Sequence, residues 1–186
     1  MSGYFSVCST YMYQHRYMDF LLANYKELNM PYPFPVTLSY ISSPLLIHGG
    51  AILYFDDEDE PAGALGYIYG TGENDYEDRH VIQIQVAFLT EQNRGSRLFL
   101  EGLCFLIQHL AEQADAELPQ EIHFWTAKDV RKHRLFSKFA KQSENVEGEY
   151  GGMSGYKVSL AHLRTYITSL SRDRRVRVCD PEGGTS

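Results

Sequence analysis

Apolar and polar residues alternate most cleanly between His80 and Leu89. Ile82, Ile84, Val86 and Phe88 share one parity, and Gln83 and Gln85 share the other. Successive side chains of a strand point to opposite faces, so this pattern predicts a strand with a single apolar face. A polar turn follows, Gln92-Asn93-Arg94-Gly95-Ser96-Arg97. Beyond it Phe99, Leu103, Leu106 and Leu110 recur at helical spacing, against a narrower polar stripe of Arg97, Glu101, Gln108 and Glu112. So wide an apolar surface predicts a helix lying against a sheet.

The flanking pattern supplies the other elements. Tyr4 to Thr10 reads as a short strand, and Tyr17 to Leu28 as a helix with Phe20, Leu21, Tyr25 and Leu28 on its apolar side. Pro31, Pro33 and Pro35 end that helix. Val36 to Ile47 stays open between strand and irregular structure. Ala51–Phe55 and Gly63–Tyr69 form a hairpin across the acidic turn 56–61, and a second acidic loop, Gly72 to Asp78, leads into the alternating strand. Glu121 to Thr126 is a strand, Lys128 to Lys141 a basic helix, Glu147 to Leu160 a final strand or strand pair turning at Gly151-Gly152, and Ala161 to Leu170 an added helix. This order predicts a mixed α/β (α+β) sheet with one right-handed crossover. It forms a single domain over residues 1–171. The tail from Arg172 to Ser186, polar and then Gly-rich, is expected to be mobile.

Composition narrows the function. A chain of 186 residues can build one substantial core. A net charge of −7 argues against nucleic-acid binding, which leaves a basic footprint, and favours cationic partners. Cys8, Cys104 and Cys179 show neither a C-x-x-C nor a zinc-like spacing, so no structural metal site or disulfide framework is expected, and Cys104 reads as a small core residue. No basic leader with an apolar run opens the sequence, and no stretch reaches the ~20 apolar residues of a membrane span, so a cytoplasmic setting is expected.

The chemistry concentrates at the turn after the alternating strand. The first N–H groups of a helix lack intrahelical partners and carry the positive end of its dipole. A glycine there lets a phosphate approach the backbone. The spacing Gln92-x-x-Gly95-x-Arg97 resembles the pyrophosphate signature of the GNAT superfamily of acyl-CoA-dependent N-acyltransferases, with Arg97 where that family usually has Gly or Ala. Two further segments are similar: Pro61-Ala-Gly-Ala-Leu-Gly66, and Leu135-Phe136-Ser137-Lys138-Phe139-Ala140, which matches a family helix of the form Leu-Tyr-x-Lys-x-Gly.

The resemblance implies a mostly antiparallel central sheet flanked by helices, with a splayed strand pair forming an acyl-CoA cleft. It implies binding of acetyl-CoA or coenzyme A through Phe88, Leu89, Thr90, Gln92, Asn93, Arg94, Gly95, Ser96, Arg97 and Leu98. Within that set, Phe88 and Thr90 would offer backbone groups to the pantetheine arm or the thioester carbonyl, and Arg97 would reach a phosphate or pair with Glu101. The basic run Lys128, Arg131, Lys132 and Arg134 would either help hold the nucleotide or form a solvated face. The implied activity is acyl transfer to a primary amine by direct attack, with a non-catalytic acyl-CoA-binding domain as the alternative. Partners would be the acyl-CoA and a small-molecule or protein amine, with a homodimer as one arrangement. The family's acid, a tyrosine, is replaced by Phe136, whose ring reads as core filler. Donors in reach of that position are His133, Ser137, Tyr150 and Tyr156. Base candidates are Glu77, Asp78 and His80, ahead of a strand that offers only Gln83 and Gln85.

Overall fold

The computed structural model describes residues 3–94, 97–113, 119–148 and 151–172. Seven strands, β1 (Tyr4–Val7), β2 (Gly49–Phe55), β3 (Pro61–Tyr69), β4 (Val81–Leu89), β5 (Glu121–Ala127), β6 (Lys141–Gly148) and β7 (Gly151–Ser159), form one sheet in the order β1-β2-β3-β4-β5-β7-β6. Every pairing is antiparallel except β4 with β5. Helices α1 (Tyr11–Ala23), α2 (Tyr25–Leu28), α3 (Phe34–Leu46), α4 (Leu98–Glu112), α5 (Val130–Phe136) and α6 (Leu160–Arg172) complete the described residues. Residues 173–186 of the expected tail lie outside them.

Two cores sit on the two sheet faces. Leu103, Leu106 and Leu110 of α4 and Leu163 and Ile167 of α6 pack with Ile52, Tyr67, Ile82 and Ile122. On the opposite face Tyr17, Leu21 and Ile41 from α1 and α3 pack with Leu53, Phe55 and Ala64. Each fully buried aliphatic side chain contributes about 1.5–3 kcal/mol relative to exposure. Cys104 packs into the α4 core as read.

Strand β4 departs from the expected single apolar face. Gly66 pairs with Val86 but its neighbour Tyr67 pairs with Ile84, so Gln85 is the extra residue of a β-bulge. The bulge reverses parity. Ile82 and Ile84 face the α4 core, whereas Val86 and Phe88 belong to the α1/α3 core. The parallel ladder of β4 with β5 covers only Val81–Ile84 against Glu121–Phe124, although the strands continue to Leu89 and Ala127. They splay from that point, which is the expected cleft.

Elsewhere local chemistry shifts the boundaries. The Thr10 side chain accepts from the Tyr13 amide and starts α1 early, while Asn24 donates its side chain to the Phe20 carbonyl and separates α1 from α2. The open stretch 36–47 is helix α3. Pro33 caps it and Pro35 occupies its first turn, where a missing N–H is harmless. Pro44 lies inside α3 and cannot donate to the Tyr40 carbonyl; the Ser43 hydroxyl donates there instead, at 3.0 Å. Helix α5 stops at Phe136, short of the expected Lys141, which already belongs to β6. Gly151 and Gly152 lie within β7 rather than forming the turn, and Gly151 faces Gly148.

Candidate active site

The splay exposes one edge of β4, and the ladder fixes which groups it presents. The Thr90 N–H donates to the Ala62 carbonyl at 3.0 Å. Residues of an antiparallel strand alternate between bonding their neighbour and pointing away. Phe88 therefore also bonds β3, and the N–H and C=O of Ala87 and Leu89 face the open side. Thr90 and Phe88, the backbone contacts implied by resemblance, turn their N–H and C=O toward β3, whereas Ala87 and Leu89 turn theirs to the open side. Consistent with this, the Leu89 carbonyl accepts from Arg94 Nε at 2.9 Å.

After β4 the chain makes a 3-10 turn, Glu91–Asn93, whose Asn93 and Arg94 amides return to the Thr90 carbonyl. Arg94 also pairs with Glu27 at 2.9 Å and lies 5.3 Å over the Phe88 ring, so α2 fastens the turn. Arg97 stands exposed at the start of α4. Among the described residues no ion pair joins it to Glu101. Gly95 and Ser96 lie outside the described residues.

A cavity of about 400 Å³ opens on the sheet face away from α4, along β4, β5 and β7. Tyr32, Tyr40, Gln83, Gln85, His123 and Trp125 are among its lining residues. The Tyr32 and Tyr40 rings stack 5.1 Å apart, and burial pushes the Tyr32 phenol up to about 12. The Trp125 indole packs against Gly155, where a Cβ would come within 3.1 Å of the ring.

His123 is the histidine of this cavity, which Glu73, Glu144 and Lys157 also line. It pairs with Gln83 across the parallel ladder, and its Nε2 lies 2.9 Å from Glu121 Oε2 on the same strand. A carboxylate only accepts, so Nε2 carries the hydrogen and Nδ1 is left as the acceptor. The sequence carried a signal for it. Glu121 and His123 share one strand face, between the buried Ile122 and Phe124.

The expected bases are placed elsewhere. Asp78 accepts from the Thr71 amide (2.7 Å), the Thr71 hydroxyl (2.8 Å) and Asn74 Nδ2 (3.0 Å). Burial alone would raise its carboxyl, but these bonds outweigh it and hold the group below its usual range. Asp78 is thereby committed to closing its loop. Glu77 and His80 are exposed at the start of β4. His80 lies four residues from Ile84, or about 13 Å at strand rise, from where the splay begins. Of that acidic loop only Glu73, with Thr71 and Gly72, reaches the cavity.

Phe136 is core filler as read, packed on Phe99, Phe124, Phe139 and Tyr156. Tyr150 lies outside the described residues. Tyr156 on β7 is brought to α5, its hydroxyl 2.9 Å from His133 Nδ1. Among the described residues no group of His, Cys, Asp and Glu could hold a metal ion, and no helix is long and apolar enough to cross a membrane.

No family model and no curated protein matches the sequence. Solved structures do match. A GNAT-family acetyltransferase from Staphylococcus aureus superposes with a TM-score of 0.61 at 15% identity, covering 86% of this chain and 99% of that one. Arabidopsis thaliana NAA60 in complex with acetyl-CoA gives 0.62 at 7% identity, covering 86% and 99%. A Bacillus subtilis acetyltransferase in complex with CoA gives 0.54 at 12% identity, with the same coverage. The splayed β4–β5 pair and these superpositions agree: the chain has the fold of the GNAT acetyltransferases.

Proposed function

We propose that this protein is an N-acyltransferase, most simply an acetyltransferase, that moves an acyl group from acyl-CoA to a primary amine by direct attack. One observation carries the reading. The pairing of β4 with β5 ends at Ile84, beside a cavity lined by His123, and three residues further on the Ala87 N–H turns away from β3 on the open side.

In this reading the amine enters the aromatic cavity and gives its proton to His123 Nδ1, directly or through one water. Glu121 holds the ring in the required tautomer. Negative charge then grows on the thioester oxygen, and the Ala87 N–H is the preorganised donor that meets it. The diphosphate of the donor rests on the turn 92–98 at the start of α4, with the exposed Arg97 as its charged partner. No covalent intermediate on the protein is needed.

Thermal denaturation with coenzyme A and acetyl-CoA tests the binding half. At 100 times Kd a ligand of the native state adds about 2.7 kcal/mol. For a chain of this size that is a rise of about 5–11 °C. Gly95→Asp should abolish the shift. A full shift in that variant refutes the placement of the diphosphate. Thiol release from acetyl-CoA with a panel of primary amines tests the chemical half; a shift without release identifies a non-catalytic binder.

A further inference from the structure

Acyl transfer releases a thiolate whose departure a proton donor assists, and the position where the resemblance expects a tyrosine hydroxyl is occupied by Phe136. We propose that Tyr156 supplies that proton instead, from strand β7, with His133 of α5 reloading it. This rests on the acyltransferase reading above.

The geometry places the phenol at the fork. Tyr156 pairs with Phe124, the last β5 residue bonded to β4, and stacks on its ring at 5.2 Å with 12° between planes. Its side chain therefore spans from the base of the splay to α5. The Phe136 ring stands edge-on to both, 5.0 Å from Phe124 and 5.4 Å from Tyr156. Phe136 also touches Phe99, in the first turn of α4 beside the diphosphate turn. The hydroxyl missing from Phe136 is thus offered by the ring packed against it. Tyr156 is 2% exposed with its ring in the α4 core, and like Ile84 it borders the acceptor cavity at the fork between the two sheet faces. Burial raises its phenol above the ordinary value, so it stays protonated until a stronger base forms beside it.

His133 completes a chain open to solvent. Tyr156 Oη meets Nδ1 at 2.9 Å, while Ser137 donates its hydroxyl to the His133 carbonyl and presents its oxygen to Nε2 at 3.4 Å. With the ring protonated, Nδ1–H donates to Tyr156 Oη and turns the phenolic hydrogen outward. As the carbon–sulfur bond breaks, sulfur takes that hydrogen. The phenolate oxygen takes the Nδ1 hydrogen, and the neutral imidazole, exposed on α5, regains a proton from water. The proton given to His123 by the amine leaves to solvent, so charges and protons balance.

The test compares two acyl donors, acetyl-CoA and the acetyl thioester of 4-nitrothiophenol, whose thiolate departs without a proton. Tyr156→Phe keeps the ring and its stacking. It is expected to lower kcat with acetyl-CoA about 100-fold, as for loss of a general acid. With the activated thioester it should stay within about 2-fold of the wild type, because that step needs no acid. Adding Phe136→Tyr to Tyr156→Phe should recover at least about 10-fold of kcat with acetyl-CoA, since it restores a phenol beside the same fork. An unchanged kcat with acetyl-CoA overturns the assignment, and so does an equal loss with both donors, which marks a structural role. A wild-type protein that neither transfers from either donor nor shifts with coenzyme A overturns the underlying acyltransferase reading as well.

Discussion

Tyr17 carries a testable energetic anomaly. It is 0% exposed, and its hydroxyl has no hydrogen-bond partner. Burial, and then the neighbouring Cys8, push its phenol well above the ordinary range, as expected of a hydroxyl held in apolar surroundings. The oxygen points at Gly66: a Cβ built there would lie 2.3 Å from it, 2.7 Å from Pro44 Cγ and 3.1 Å from Val86 Cγ1. An orphaned buried polar group costs about 1–3 kcal/mol. Tyr17→Phe should recover most of that, which for this chain length is a rise in Tm of at least about 2 °C. Gly66→Ala in the wild type overfills the site and should cost about 1–3 kcal/mol. Removing the phenolic oxygen clears the tightest of the three contacts. The two substitutions should therefore couple by about 1 kcal/mol in a double-mutant cycle followed by urea denaturation. The reasoning is refuted if Tyr17→Phe lowers Tm, or if the two changes add within about 0.3 kcal/mol.

Three further outcomes follow from the site. His123→Ala should lower kcat about 100-fold or more while the thermal shift with coenzyme A is unchanged, and Glu121→Gln should lower kcat less; equal turnover in all three proteins removes His123 as the base. Ala87→Pro deletes an N–H that makes no bond to β3, so kcat should fall about 100- to 1000-fold with the β3–β4 ladder intact by hydrogen exchange; undiminished turnover would show that the oxyanion lies elsewhere. Asp78 has a depressed folded-state carboxyl, so its stabilising contribution is complete above the unfolded value of about 4 and is lost as pH falls through the lower folded value. The Tm gap between wild type and Asp78→Asn should therefore be widest near neutrality and close in acid, and a gap independent of pH contradicts the assigned role.

Much of this molecule is legible from its residues, and the gaps have physical causes. The hairpin β2–β3, strand β5 and helix α4 are short-range patterns of period two or period 3.6, and each element sits where its pattern puts it. Helix α3 is hidden because Pro33, Pro35 and Pro44 read as breakers, and only the cap geometry and the Ser43 hydroxyl make them harmless. The face reversal in β4 leaves no local trace, since Gln85 differs from Gln83 only in lacking a partner on β3. The two histidine pairs differ in the same way. Glu121 and His123 are near neighbours in sequence and could be found by parity, whereas His133 and Tyr156 meet only because β7 returns beside β5 under α5.

The extra residue in β4 also sets stability and turnover against each other. If Gln85 were deleted, Ile84 and Val86 would become consecutive and would keep their partners Tyr67 and Gly66, with both cores intact. The straightened strand could then run on alongside β5 past Phe124, and the Ala87 amide would become an ordinary rung of a longer ladder. Such a protein would be firmer and, on the proposed reading, inert. The opening proposed to admit a thioester is then a one-residue flaw kept in a sheet that would close without it.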